Sequence, residues 1–143
     1  MTVQAILSVK GGNVVSIEPT ATLEAAVKTL TDNRIGALLV LGPDHRVIGI
    51  VSERDIVRAL AERGAGVLKE PLAQVMTRKV VTCSPSETVQ TIMERMTTGK
   101  FRHVPVIDQD QVFGIISIGD VVKHRLHEME KESAALRDYI QTA

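Results

Sequence analysis

Two hydroxyl–carboxylate pairs carry the most suggestive chemistry of this chain. Ser52 and Asp55 stand in GIVSERDIVRAL (49–60), and Ser117 and Asp120 in GIISIGDVVKHRL (114–126). A constant shift of 65 residues takes Gly49 to Gly114, Ser52 to Ser117 and Asp55 to Asp120. Two readings of Ser-x-x-Asp stand side by side. In one, Ser is a helix N-cap and Asp sits at N3, a variant of the capping box that stabilises a helix start by about 1 kcal/mol. In the other, the helix start offers N–H groups and a positive dipole end to a phosphate, and the Ser hydroxyl donates to it. An ionised Asp only accepts hydrogen bonds, which suits the two adjacent hydroxyls of a ribose. Gly49 and Gly114 favour the second reading, because a cap has no use for a glycine in the strand before it. Such a glycine marks a bulge or the close approach of another backbone or a ligand.

The two motifs differ inside. The first holds Glu53-Arg54 between Ser and Asp, the second Ile118-Gly119. Arg54, close to a helix start, can reach a bound phosphate; Arg34 and Lys100 are further cations, with solvated surface as the plain alternative for all three. Catalysis finds less support. Cys83 has no assignable base, and the chain contains no nucleophile elbow, phosphate-cradling GxxxxGK[ST] or zinc signature. His124 and Glu128 lie four residues apart with His127 between them, which reads as a polar helix face before it reads as a metal site. No catalytic residue and no metal ligand is assigned.

These motifs sit in a longer repeat. VVSIEPTATLEAAVKTL (14–30) matches VVTCSPSETVQTIMERM (80–96) with a shift of 66, and the lost residue falls in the turn-rich stretches LGPDHRVIGI and DQDQVFGI. Val14–Ile17 and Val80–Cys83 read as short strands ahead of Pro19 and Pro85. Thr22 and Thr88 then cap helices whose apolar residues recur at i, i+3, i+4 and i+7: Leu23, Ala26, Val27, Leu30 and Val89, Ile92, Met93, Met96. Ala37–Leu41 and His103–Ile107 follow as strands, then Val47–Val51 and Val112–Ile116, and a helix begins at each repeated Ser. The order is β-α-β-β-α, twice, an α/β (α+β) class in which helices cover near-continuous apolar strands. Pro105 inside a strand points to an edge or bulge. Val3–Val9 reads as a short helix or packing arm, and residues 64–78 as a connector with one helical turn after Pro71. The expected division is an arm (1–13), a first unit (14–65), a connector (66–79), a second unit (80–126) and a helical extension (127–143).

The bulk numbers narrow the class of partner. In 143 residues, 17 Lys and Arg balance 17 Asp and Glu, so no net field attracts a nucleic acid or an anionic membrane. One cysteine forms no internal disulfide, the first residues lack the pattern of a signal peptide, and no apolar run nears the ~20 residues of a membrane span. The chain reads as cytoplasmic.

The repeated Gly-Ile-Val-Ser-x-x-Asp pattern, its in-register upstream strand and helix, and FRHVPV (101–106) resemble CBS domains, the modules named after cystathionine β-synthase. As a whole, the chain is similar to a stand-alone bacterial tandem-CBS protein over roughly Val14 to Lys123. The resemblance implies two units related by a pseudo-twofold axis, a cleft on each side, and regulatory binding of an adenine nucleotide in place of catalysis. It also implies that the exit of the first strand and the start of the second wall the adenine: Ser16, Ile17, Gly36 and Ala37 in one unit, Thr82, Cys83, Arg102 and His103 in the other. Core packing of Ile17 and Cys83, and exposure of Arg102, are the plain alternatives. AMP or ATP is the default ligand and NAD the other candidate, none of them a catalytic cofactor, with a separate effector protein, unknown, receiving the signal.

The last helix outruns the repeat. Val122, Leu126, Met129, Ser133, Leu136 and Ile140 step by 4, 3, 4, 3 and 4, a heptad seam with one polar break. Packing within the chain and a homodimer seam both fit that spacing, as does docking to another protein. The competing function is accordingly a ligand-free interaction or dimerisation module.

Overall fold

The computed structural model describes residues 1–142. The chain divides into two compact units, each of which takes up the segment leading into the other repeat. The first-repeat unit comprises Asn13–Thr82 with Gln109–Val112; the second-repeat unit comprises Met1–Gly12, Cys83–Asp108 and Phe113 onward.

In the first-repeat unit, β1 (Ser16–Ile17) runs parallel to β2 (Ala37–Leu41), and β2 pairs antiparallel with β3 (Val47–Ser52). Between β1 and β2, α2 (Leu23–Asn33) starts where the Thr22 hydroxyl accepts from Ala25 N at 3.1 Å. It buries Leu23, Ala26 and Leu30, three residues of the apolar face expected from the periodicity. After β3 comes α3 (Glu53–Arg63), which turns Ile56 and Ala59 to the same core. The connector contributes to that core as well: two 3-10 turns, Ala65–Lys69 and Leu72–Gln74, bury Val67 and Leu72, and Met76 follows them inside. The expected turn after Pro71 is thus present, and the segment packs into the core.

The second-repeat unit repeats this plan with α4 (Val89–Gly99), β4 (His103–Asp108), β5 (Gln111–Ser117) and α5 (Ile118–Thr142). β1 is already shorter than the Val14–Ile17 expected, and its counterpart here falls shorter still. Instead of a strand over Val80–Cys83 there is a single parallel bridge, Cys83 to Val106. Pro105 explains the loss. In the first-repeat unit, Leu39 N donates to Val15 O at 3.4 Å, extending β1 backwards. The position equivalent to Leu39 is 105, where proline has no N–H to give. Pro105 keeps only its acceptor role, taking Cys83 N at 3.0 Å, so pairing stops there.

The N-terminal arm is a helix, α1 (Val3–Lys10), and its Val3, Ile6 and Leu7 are buried with Cys83, Ile92, Met96, Val104, Val106 and Ile116. Helix starts leave N–H groups without intrahelical partners. Here Val3 N and Gln4 N donate to Glu87 O and Pro85 O, both at 2.9 Å. Burying each of these large apolar side chains contributes about 1.5–3 kcal/mol, so α1 is a working part of this unit. By contrast, α5 buries only Val121; Leu126, Met129, Leu136 and Ile140 are 52–65% exposed. The seam is therefore not consumed by packing within the chain.

Candidate functional site

Both Ser-x-x-Asp turns form the reciprocal capping box. Ser52 Oγ accepts from Asp55 N at 3.3 Å, while Asp55 Oδ2 accepts from Ser52 N at 2.9 Å and from the Ser52 hydroxyl at 3.0 Å. In the second motif Ser117 Oγ accepts from Asp120 N at 3.1 Å and Asp120 Oδ2 from Ser117 N at 2.8 Å. The cap reading of these residues is correct for each turn. It leaves room for a ligand, since a carboxylate has about four lone-pair sites and the capping bonds occupy only part of them.

The glycines have a different explanation from the one the sequence favours. A Cβ on Gly49 would come within 2.6 Å of Met76 Sδ and 3.1 Å of Thr77 O, and the Ile50 and Thr77 backbones exchange hydrogen bonds alongside. A Cβ on Gly114 would come within 2.8 Å of Leu7 Cδ2. The close neighbour is in each case the segment that leads into the other repeat. These glycines admit the protein's own chain, and their presence is no argument for a ligand.

The same two segments reach the carboxylates. Thr77 Oγ1 donates to Asp55 Oδ1 at 3.3 Å. Lys10 Nζ donates to Asp120 Oδ2 at 2.6 Å and to Ile115 O at 2.6 Å. Burial pushes the Asp120 carboxyl up, but the Lys10 ammonium and the Ser117 bonds outweigh it and hold it below its ordinary value. Nothing in the sequence around Lys10 signals this contact, which spans 110 residues.

Other expected site residues fall around the turns as follows. Ala37 is buried at the start of β2 and pairs with Ser52, and Gly36 O accepts from Glu53 N at 3.0 Å. Arg102 O likewise accepts from Ile118 N at 2.8 Å, and His103 opens β4. The start of the second strand thus lies against each Ser turn. Exposed Ser16 and half-buried Ile17 pair with Leu39 and Val40, two and three residues further along β2 than Ala37. Thr82 is exposed, whereas Cys83 is buried in the core, its thiol pushed up to about 12 by burial, with the Glu87 charge adding and Arg95 opposing. It is a protonated packing group at neutral pH. Arg34 and Lys100 end α2 and α4 in left-handed conformations, φ 53° and 58°, so both have a backbone role irrespective of charge. Arg54 is exposed in the first turn of α3, and Gly119 in the first turn of α5. His124 Nε2 lies 3.6 Å from Glu128 Oε1, and no group of three metal-ligating side chains gathers among the described residues.

A groove of about 1080 Å³ opens in the second-repeat unit between α1 and the start of α5. Ile6, Val9, Ile118, Val122 and Leu126 form its apolar wall, and Lys10, Arg102, Asp120, Lys123 and His127 its polar rim. An apolar wall beside a few convergent polar groups is the usual form of a small-molecule site.

Comparison with known proteins places this architecture. The CBS domain family model matches twice, over residues 8–62 and 72–127, and the chain belongs to the CBS-domain family as a tandem pair. A CBS-domain-containing protein of Agrobacterium tumefaciens has 44% identity and a TM-score of 0.85, covering 87% of this chain and 92% of its own. The Arabidopsis thaliana "CBS domain-containing protein CBSX3, mitochondrial" is 36% identical over 124 residues, 84% of this chain; the chain spans only 60% of that relative's length. A CBS domain protein of Pyrobaculum aerophilum, solved in complex with AMP, has 29% identity and a TM-score of 0.75, covering 84% and 89%. A CBS domain pair solved with 5′-methylthioadenosine and S-adenosylmethionine has 26% identity and a TM-score of 0.77, covering 86% and 98%.

Proposed function

We propose that this CBS pair is a regulatory sensor that binds an adenosine-containing ligand at its Ser-x-x-Asp turns. It passes the signal, through a change of conformation or assembly, to a separate effector protein in the cytoplasm. The observation that carries this is the recurrence of one arrangement in both units. A capped Ser–Asp turn abuts the first residues of the second strand, and its carboxylate keeps lone pairs beyond those used by the cap. Asp55 and Asp120 accept the ribose hydroxyls, Ser117 donates to the phosphate, and Ser52 does so once its hydroxyl turns away from Asp55 Oδ2. Gly36-Ala37 and Arg102-His103 border the base, with Arg54 adding charge on the phosphate side. AMP bound by one relative, and 5′-methylthioadenosine and S-adenosylmethionine by another, share the adenosine moiety and not the phosphate. That overlap supports adenosine as the recognised element; AMP and ATP remain the leading ligands, with NAD the dinucleotide option.

A panel of adenosine, AMP, ATP, NAD and S-adenosylmethionine in a thermal-shift assay tests the reading, since only a ligand that prefers the native state raises stability. At least one is expected to raise the melting temperature in a concentration-dependent way. No shift from any of them at millimolar concentration counts against it.

The exposed face of α5 favours a second, compatible reading, in which two copies pair along Leu126, Met129, Leu136 and Ile140. In the ligand-free alternative this face would be the whole function.

A further inference from the structure

The two motifs share the reciprocal bonds of the capping box and keep unequal company. In the first-repeat unit the segment packed on Gly49 presents a neutral hydroxyl, Thr77 Oγ1, at 3.3 Å from Asp55. In the second-repeat unit the segment packed on Gly114 presents the ammonium of Lys10 at 2.6 Å from Asp120. A second bond to Ile115 O, also 2.6 Å, fixes that ammonium in place. The end of α1 is fitted to this position. Gly11 turns the chain at φ 91°, and Gly12 lies so close to β5 that a Cβ on it would be 2.9 Å from Phe113 O.

An ammonium at contact distance neutralises the carboxylate and stands where a ribose hydroxyl would donate. A neutral hydroxyl at 3.3 Å does far less of either.

We propose that Lys10 is an internal occupant of the second motif, a latch that must release Asp120 before a diol-bearing ligand is held there. The inference rests on the adenosine reading of the Ser–Asp turns. It makes the first motif the tighter site and the second one gated, and it couples occupancy of the second motif to the end of α1. A binding-competent state that is only partly populated lowers apparent affinity by its fractional population.

The test uses the full chain, AMP as ligand and calorimetry as the readout. Asp55→Ala isolates the second motif, and Lys10→Met added to it removes the latch while keeping the apolar stem. AMP affinity is expected to rise about three- to tenfold in the double variant, the scale of one partly exposed, charge-assisted contact. Should Asp55→Ala unfold, the same comparison with Asp55 intact reads the second, weaker binding step, and Lys10→Gln serves as an independent removal of charge. Equal or weaker affinity without Lys10 overturns the latch while leaving the adenosine reading in place, the weaker case making Lys10 a ligand contact. AMP failing to bind the unmodified chain, with adenosine and the other nucleotides failing too, overturns both.

Discussion

Gly49→Ala is the sharpest way to ask whether the repeated strand glycine serves the protein's own chain. The new methyl would come within 2.6 Å of Met76 Sδ, 3.0 Å of Met76 Cγ and 3.1 Å of Thr77 O. Met76 is flexible and can retreat, but Thr77 O is backbone, held by the paired bonds Ile50 N to Thr77 O at 2.9 Å and Thr77 N to Ile50 O at 2.8 Å. Overpacking a tight site costs about 1–3 kcal/mol, and replacing glycine in a strand returns about 0.5–1 kcal/mol of backbone entropy. The difference spans about 0–2.5 kcal/mol. The backbone contact at Thr77 O puts the loss in the upper part, about 1–2.5 kcal/mol, which lowers the melting temperature by about 3–10 °C in a domain of this size. Gly114→Ala is the internal control: its close contact is the tip of a flexible side chain, Leu7 Cδ2 at 2.8 Å, and its net cost should stay under about 1 kcal/mol. Circular-dichroism melts without ligand measure both. Gly49→Ala retaining full stability while losing nucleotide binding would refute the packing explanation and return the glycine to the ligand.

Three further outcomes follow from the same geometry. Because Asp120's carboxyl is held below its ordinary 3.8, the stability it lends is present above that pH and lost as pH falls through its lower folded-state value. Lys10→Met, costing less than about 1 kcal/mol near pH 6 for a partly exposed pair, should therefore approach the parent in urea melts as pH is lowered progressively below 3.8; a gap independent of pH would deny the ion pair its part. Truncation after Lys123 should leave a folded core, since Val121 is the one buried residue of α5, and should weaken self-association in sedimentation across a concentration series. Outright unfolding would mean that the helix belongs to the core, and an unmoved association constant would leave the seam without a role in assembly. If Arg54 supplies charge to the phosphate, Arg54→Ala should weaken AMP far more than adenosine, with the difference shrinking as salt rises; equal losses would return it to the solvated surface.

Local signals in the sequence carried most of the elements. Thr22 and Thr88 cap the helices that follow them, and α2 and α4 each bury three of the four periodic residues expected to face the core, with Val27 and Met93 half-buried beside them. What escaped was set by partners distant in the chain. The strand expected over Val80–Cys83 is cut short by a missing donor at Pro105, whose effect falls on Val81, 24 residues earlier. The strand glycines announced a close approach without saying whose, and Met76, Thr77 and Leu7 answer that only in three dimensions. Lys10 carries no signal in the sequence, yet it is the cation on the second carboxylate. Cys83 offered a wall residue or a core residue, and it is buried with Val104, Val106 and Ile116. The heptad spacing of α5 was plain, while its exposure required the packed unit to be seen.

The central claim is that a Ser–Asp turn holds an adenosine ligand through its carboxylate, and Asp55 is where it is tested with least interference, since its side-chain partners among the described residues are the neutral Ser52 and Thr77. Asp55→Asn preserves the shape of the N3 residue and removes its charge. Titrating AMP calorimetrically into both proteins should show the tighter binding step weakened by about 1.5–3 kcal/mol, the scale of a hydrogen bond to a charged group. The melting temperature without ligand should shift only by what a weakened cap costs, about 1 kcal/mol or less. Undiminished AMP affinity in a folded Asp55→Asn protein would contradict the account.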